Sequence, residues 1–273
     1  MSREIEYQGL MALAWDPLRG DTSGWEDRSF FLAHISEIGE PVLDVGCGTG
    51  RLLLDFLSLG LDVDGLEISP DMVVILREKA HRTGLDIGGR VHVQAMESMT
   101  LPRRYQVIIV PSSSFQLVVD PPAASASMDR FFRHLRPGGT LIMPWIDIAV
   151  DYGSQVEERF ERVTTLENGS VLRRRFHGRF DAAAGVEHTV DDYDLVRDGV
   201  VVERQTIRSS PATRHYQRSE IARLHEAAGF VDLRWFGGFT MNPPVPTDRV
   251  VTTLARRPER PTPSTARGSA AAR

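Results

Sequence analysis

Apolar and polar positions along the chain fall into three regimes. Between residues 41 and 146, short continuous apolar runs alternate with amphipathic stretches. The runs near 42–46, 61–67, 91–95, 106–111 and 140–146 read as strands, and 50–59, 70–83 and 123–136 read as helices. This alternation predicts a parallel sheet with right-handed crossovers and helices on both faces. Ligands of such sheets bind outside the carboxyl ends of the strands. Arg136-Pro137-Gly138-Gly139 reads as the stop of the 123–136 helix.

The flanks carry different periods. Glu4 to Trp15 and Trp25 to Ile38 have apolar residues at helical spacing, with a polar, proline-containing break at 15–21. Four amphipathic runs follow the fifth strand: Val156 to Leu166, Ser170 to Phe180, Val186 to Arg197 and Val200 to Ser209. Asn168-Gly169, a glycine turn at 183–185 and Asp198-Gly199 join them, which predicts an antiparallel meander. Its charged face carries Arg159, Arg173, Arg175 and Arg179 and reads as solvated. Its apolar face needs a partner, because an isolated hairpin sheet is marginal; it is expected to roof the site or to form a dimer interface. Ser219 to Ala228 reads as a helix with Ser219 as N-cap and Gly229 as stop. Phe230 to Phe236 and Arg249 to Ala255 read as closing strands. The expected organisation is a helical lid at 1–40, an α/β core at 41–150, an inserted antiparallel sheet at 151–212, the rest of the core at 213–256, and a disordered Pro-, Ser-, Ala- and Arg-rich tail at 257–273.

Two runs carry the chemistry. The first is Val42-Leu43-Asp44-Val45-Gly46-Cys47-Gly48-Thr49-Gly50-Arg51, a strand, a glycine turn and a helix opening. Such a turn brings backbone N–H groups close to a ligand. Its third glycine comes one residue earlier than in the dinucleotide pattern G-x-G-x-x-G. The second is Leu61 to Ile68, which ends in Glu67 about 20 residues after the loop begins, where an acid that binds ribose hydroxyls is expected. Ser69-Pro70-Asp71-Met72 then opens a helix, with Ser69 as N-cap and Pro70 at the first position.

Asp-x-Gly-x-Gly-x-Gly at 44–50 resembles motif I of the class I S-adenosylmethionine (SAM)-dependent methyltransferases, and Gly65 to Met72 is similar to their second motif. The small-molecule members related to sugar N,N-dimethyltransferases are the nearest in kind. The resemblance implies a seven-stranded Rossmann-like sheet and SAM as cofactor. It places Asp44, Gly46, Cys47, Gly48, Glu67, Ile68 and Met72 at the cofactor. It adds Met96 and Glu97 near the adenine, and Pro111 and Ser112 of the Ser-rich loop after the fourth strand near the methionine portion. Trp15, with Asp16 beside it, is expected near the sulfonium, where an aromatic face gains roughly 0.5–2 kcal/mol; Arg19 is expected at the methionine carboxylate. This chain has Trp where the family usually has Tyr. Phe115, Gln116, Trp145 and Asp147 fall at carboxyl ends of strands and are expected to line an acceptor pocket. His177, His188 and His215 are base candidates, and no residue is singled out as catalytic.

Composition narrows the reading further. The chain has 273 residues, 41% of them apolar, and a net charge of −5, so a sizeable core is expected and no nucleic-acid footprint is visible. The one cysteine, Cys47, excludes an internal disulfide framework. No metal-ligand cluster is apparent. No apolar run approaches the roughly 20 residues of a membrane span, and no signal segment opens the chain; a cytoplasmic monomer or homodimer is expected, with no membrane partner. The expected activity is methyl transfer from SAM to nitrogen or oxygen of a small molecule, in secondary metabolism such as antibiotic biosynthesis. Two alternatives stay open: a SAM-fold enzyme of non-methylating chemistry such as cyclisation, and a nicotinamide-dependent oxidoreductase.

Overall fold

A computed structural model describes residues 7–148 and 157–259. Its centre is a seven-stranded sheet in the order β10-β11-β5-β4-β1-β2-β3, built from β1 (Val42–Val45), β2 (Val63–Glu67), β3 (Val91–Val93), β4 (Tyr105–Ile109), β5 (Leu135–Ile146), β10 (Val231–Gly237) and β11 (Val250–Arg256). β1 pairs parallel to β2 and β4, and β4 to β5; β11 is antiparallel to both of its neighbours. Strands β1 and β2 are buried at every position, as strands covered on both faces must be. Successive side chains alternate between two cores. Leu43, Val45, Ile108 and Met143 meet α5 (Pro121–His134) and α6 (Arg218–Ala227) on one face. Val42, Val107, Ile109 and Ile142 meet α2 (Glu26–Ile38), α3 (Arg51–Ser58) and α4 (Pro70–Thr83) on the other.

A second sheet, β6 (Glu157–Thr165), β7 (Val171–Asp181), β8 (Val186–Arg197) and β9 (Val200–Arg214), is an antiparallel meander. Leu172, Tyr193 and Leu195 of its inner face bury against Leu10, Met11 and Ala14 of α1 (Leu10–Arg19). The lid helix thus covers part of the apolar face that the meander could not leave open. On the outer face Arg175 pairs with Asp194 at 2.9 Å and Arg173 with Glu161 at 3.7 Å. α1 has Gly9 as N-cap and no capping side chain of its own. Gln205 of β9 supplies the acceptor instead, taking the N–H of Leu10 at 2.7 Å and of Met11 at 3.3 Å.

Local differences from the sequence reading have physical reasons. The expected break at 15–21 is helix through Arg19, with Pro17 inside it. Proline at 17 forfeits the bond to the Leu13 carbonyl, and Leu13 is exposed, so water can serve that oxygen. α5 ends at His134, and Arg136-Pro137-Gly138-Gly139 belongs to β5, at a register shift against β4. Glycine is needed at 139 because a Cβ would lie 2.9 Å from the Gln106 carbonyl. The N-cap of α6 is Gln217, not Ser219; the Glu220 carboxylate takes the Gln217 N–H at 2.9 Å. Arg257, placed at the start of the expected tail, donates its N–H to Gly139 at 2.8 Å. The tail from 260 onward lies outside the described residues.

No helix among the described residues is long and apolar enough to cross a membrane.

Candidate functional site

The glycine turn between β1 and α3 makes the floor of a cavity at the carboxyl ends of β1, β2 and β4. Gly46, Gly48 and Gly50 have φ of 72°, 55° and 86°, a region that L side chains rarely adopt. A Cβ on Gly46 would lie 2.7 Å from Ser114 Oγ, and one on Gly50 2.9 Å from Leu54 Cγ. The turn therefore presents bare backbone to the cavity on one side and packs tightly on the other.

Every residue expected at the cofactor lines this one cavity: Trp15, Arg19, Asp44, Gly46, Cys47, Gly48, Glu67, Ile68, Met72, Met96, Glu97, Pro111 and Ser112. Tyr7, Thr49, Arg51, Gln94, Ser114 and Leu117 line it as well and were not expected. Thr49 and Arg51 sit inside motif I, so their adjacency was a usable signal. Tyr7 carried none, because its place depends on the path of the chain before α1.

The acids have distinct settings. Glu67 is buried, and its carboxylate accepts N–H groups from Gly48 and Ser69, both at 2.8 Å. Burial raises its pKa, against the lowering effect of those backbone bonds. Asp44 is buried, and its Oδ1 has no hydrogen-bond partner among the described residues. Burial pushes its pKa up to about 7, with Arg51 pulling the other way and Glu67 and Asp27 adding to the rise. Cys47 is buried and its thiol pKa is raised, again by burial first, so a reactive thiolate is disfavoured.

Arg19 lies over the ring of Trp15, 3.6 Å from its centroid, and Tyr7 meets the same ring edge-on at 4.8 Å. One face of the indole is thus taken by a guanidinium. Burial draws the Arg19 pKa down to about 10. Asp16 is engaged elsewhere: it accepts Thr49 Oγ1–H at 2.7 Å and pairs with Lys79 at 2.9 Å, which latches α1 to the glycine turn and to α4. Beyond β4, Ser112 and Ser113 both have positive φ, 54° and 58°. Such conformations cost energy in non-glycine residues and cluster at ligand sites. The Ser113 and Ser114 hydroxyls donate to the carbonyls of Ser112 and Pro111.

The residues expected at the acceptor are placed differently. Phe115, Gln116 and Trp145 lie in the core and do not line the cavity. Phe115 and Trp145 meet edge-on at 5.3 Å, and Trp145 Nε1 donates to Thr253 Oγ1 at 2.9 Å. Their side chains point into the layer below the strand ends, where large aromatic area is best buried. Asp147 faces His215, Oδ1 to Nδ1, at 3.4 Å. His177 and His188 lie on the outer face of the meander, against Glu157 at 3.3 Å and Ser210 Oγ at 2.7 Å. Among the described residues no group of three or more His, Cys, Asp or Glu is arranged to hold a metal.

Known proteins resemble the part of the chain that builds this floor. Residues 42–139 match the model of the methyltransferase domain family. Over that stretch the chain is similar to methyltransferase domains. The likeness to class I SAM-dependent methyltransferases, read from the two motifs, stands. Curated relatives include the dTDP-3-amino-3,6-dideoxy-α-D-glucopyranose N,N-dimethyltransferase of Streptomyces fradiae, 31% identical over 52% of this chain and 56% of that protein. They also include a ubiquinone biosynthesis O-methyltransferase of Methylococcus capsulatus, 29% identical over 41% and 46%. The chain spans about half the length of the curated relatives it matches. Among solved structures, a SAM-dependent methyltransferase from Clostridium acetobutylicum superposes with a TM-score of 0.73 at 17% identity, over 88% of this chain and 94% of that one. A sugar N-methyltransferase from Streptoalloteichus gives 0.68 at 19%, over 88% and 91%. At those identities the likeness is one of fold, and it covers the methyltransferase domain together with the flanking elements.

Proposed function

We propose that this protein transfers a methyl group from SAM to a small molecule, and that the acceptor atom is an amine nitrogen, as on an amino sugar. One observation carries the reading. The floor of the cavity combines bare glycine backbone with two buried acids, and one of them, Asp44, has an oxygen, Oδ1, with no hydrogen-bond partner among the described residues. A buried unsatisfied carboxylate costs free energy, so a cavity lined by Asp44 fits a ligand that brings a donor to that carboxylate. The lining suits a nucleoside with an amino-acid tail: Glu67 for ribose hydroxyls, Asp44 for the ammonium of the tail, and Met72 and Met96 as soft apolar walls; the N–H groups of Gly46 and Cys47 are taken by the Leu66 carbonyl and that of Gly48 by Glu67.

Bound there, SAM supplies a methyl group on a sulfonium, already a good leaving group. The chain's own share is to bind, align and exclude water, and such positioning is worth roughly 7–11 kcal/mol. The latch of Asp16 on Thr49 and Lys79 holds Trp15 and Arg19 against the cavity. The amine reading draws support from the N,N-dimethyltransferases among the relatives; the O-methyltransferases there make a hydroxyl the second choice. Titration calorimetry with S-adenosylhomocysteine (SAH) and mass spectrometry with methyl-labelled SAM test the proposal. Binding of SAH and label in an amine product are expected. No binding, or binding of NAD in its place, overturns it.

A further inference from the structure

Asp147 and His215 are the first residues past two strand ends that a single side chain clamps. Gln116 Nε2 donates to the carbonyls of Ile146 and Arg214, both at 3.0 Å, and Gln116 Oε1 accepts the Ile146 N–H at 2.8 Å. Gln116 is itself buried in the 3₁₀ turn Ser114–Leu117. The next residues, Leu117 and Val118, line the cofactor cavity. The carboxyl end of β5, the end of β9 and the cavity rim are therefore drawn together. The Asp147–His215 pair sits there, beside the apolar group of Ile146, Ile148 and Phe180, with the Phe180 ring edge-on to His215 at 6.2 Å. His215 Nδ1, the nitrogen that faces Asp147, has no hydrogen-bond partner among the described residues, and the side chain keeps 22% of its surface open. Neither residue belongs to the wall of the cofactor cavity.

A partly exposed histidine with a carboxylate facing one ring nitrogen is a setting in which a proton can move. At 3.4 Å the two groups face each other without a hydrogen bond, and catalytic contacts often tighten only when substrate binds. We propose that Asp147 and His215 form the proton-accepting pair for the methyl acceptor, which binds beyond the cavity rim between Leu117 and the Ile148–Phe180 patch. The proposal rests on the methyl-transfer reading. When an amine is methylated, its lone pair forms the C–N bond, and the electrons of the breaking C–S bond stay on sulfur. The surplus proton on the new ammonium passes to His215 Nε2 and from there to solvent. Asp147 acts as a positioning residue, holding the proton of the neutral ring on Nδ1 so that Nε2 presents its lone pair. His177 and His188 cannot serve, since they face outward from the meander.

Nitrogen-15 NMR of the histidine-labelled full chain, saturated with SAH, reads the tautomer without turnover. His215, assigned by loss of its signal in His215→Gln, should carry its proton on Nδ1, and Asp147→Asn should shift that balance. A proton on Nε2 in the unaltered protein overturns the proposal whatever the acceptor. The kinetic arm uses methyl-labelled SAM with dTDP-3-amino-3,6-dideoxy-α-D-glucose as the probe amine. His215→Ala should lower kcat by about 100-fold or more, leave SAH affinity unchanged and recover activity with added imidazole. A kcat within threefold overturns the pair as base. Failure of the wild-type chain to bind SAH defeats the methyl-transfer reading instead. SAH binding without labelling of the probe defeats its amine-acceptor form, and with it the base role for His215.

Discussion

One acid joins two turns: the carboxylate of Glu67 at the tip of β2 holds the Gly48 N–H after β1 and the Ser69 N–H before α4, each at 2.8 Å. Replacing it removes an acceptor from both loops and, on the methyl-transfer reading, from the ribose of the nucleoside. Glu67→Ala is expected to weaken SAH binding by about 1–3 kcal/mol in calorimetry and to lower the unfolding temperature of the ligand-free protein. A lower melting point with unchanged affinity would leave Glu67 a purely structural role.

The Asp16 latch predicts a kinetic effect larger than its stability effect. Asp16 and Lys79 side chains keep 39% and 28% of their surface open, so their ion pair is worth at most about 1 kcal/mol. Yet the same residue fixes the helix that bears Trp15 and Arg19. Asp16→Ala should melt within a few degrees of wild type while SAH dissociates faster in stopped-flow.

Asp44 makes stability depend on pH. Its folded pKa is raised to about 7 from 3.8, so between about pH 4 and pH 7 the folded protein holds more protons than the unfolded chain and loses stability as pH rises. His225 works the other way: burial lowers its pKa to about 4 from 6.5, and its contribution is lost as pH falls through that window. The wild-type curve mixes the two slopes. Comparison with Asp44→Asn separates them. The advantage of the Asn variant should be small at pH 4 and grow toward pH 7, to no more than about 4 kcal/mol for three pKa units. A constant difference across that range would contradict the assignment.

The Gln116 clamp ties three backbone groups. Gln116→Leu fills the same space but leaves the Ile146 N–H and two carbonyls without a partner, and is expected to cost about 3 kcal/mol in denaturant titration. The same variant should broaden the His215 signal, because Asp147 and His215 would lose their common anchor.

Gly65, inside β2, tests packing rather than chemistry. A Cβ there would lie 2.7 Å from Cys47 Sγ and 2.8 Å from Leu53 Cδ2. Gly65→Ala should destabilise by about 1–3 kcal/mol through overpacking; Cys47→Ala should recover part of that in the double variant.

The α/β rhythm was legible because buried parallel strands and their glycine turns leave a dense local signature: Asp44 to Gly50, Glu67 and Ser69 each state a backbone requirement within a few residues. The residues around the acceptor were not. Phe115, Gln116 and Trp145 sit at carboxyl ends of strands, as expected, but a strand end has two faces, and sequence position does not say which one meets the cavity. Burial settled it: two aromatic rings meet each other, and an amide satisfies backbone from strands 30 and 98 positions away. Likewise Pro17 looked like a break, because the cost of proline is local while the packing that overrides it comes from β7 and β8. His215 and Asp147 were each visible singly; their meeting depends on a chain reversal through four strands.

The borrowed cap of α1 carries a further consequence. Gln205 lies 195 residues after the amide it holds, so a ligand cannot reseat α1 without loading the strand that ends at Arg214, next to His215. On the methyl-transfer reading, the binding of both substrates would then load a single mechanical element. Thermodynamic reciprocity requires that whatever factor by which the nucleoside tightens the acceptor, the acceptor tightens the nucleoside in equal measure.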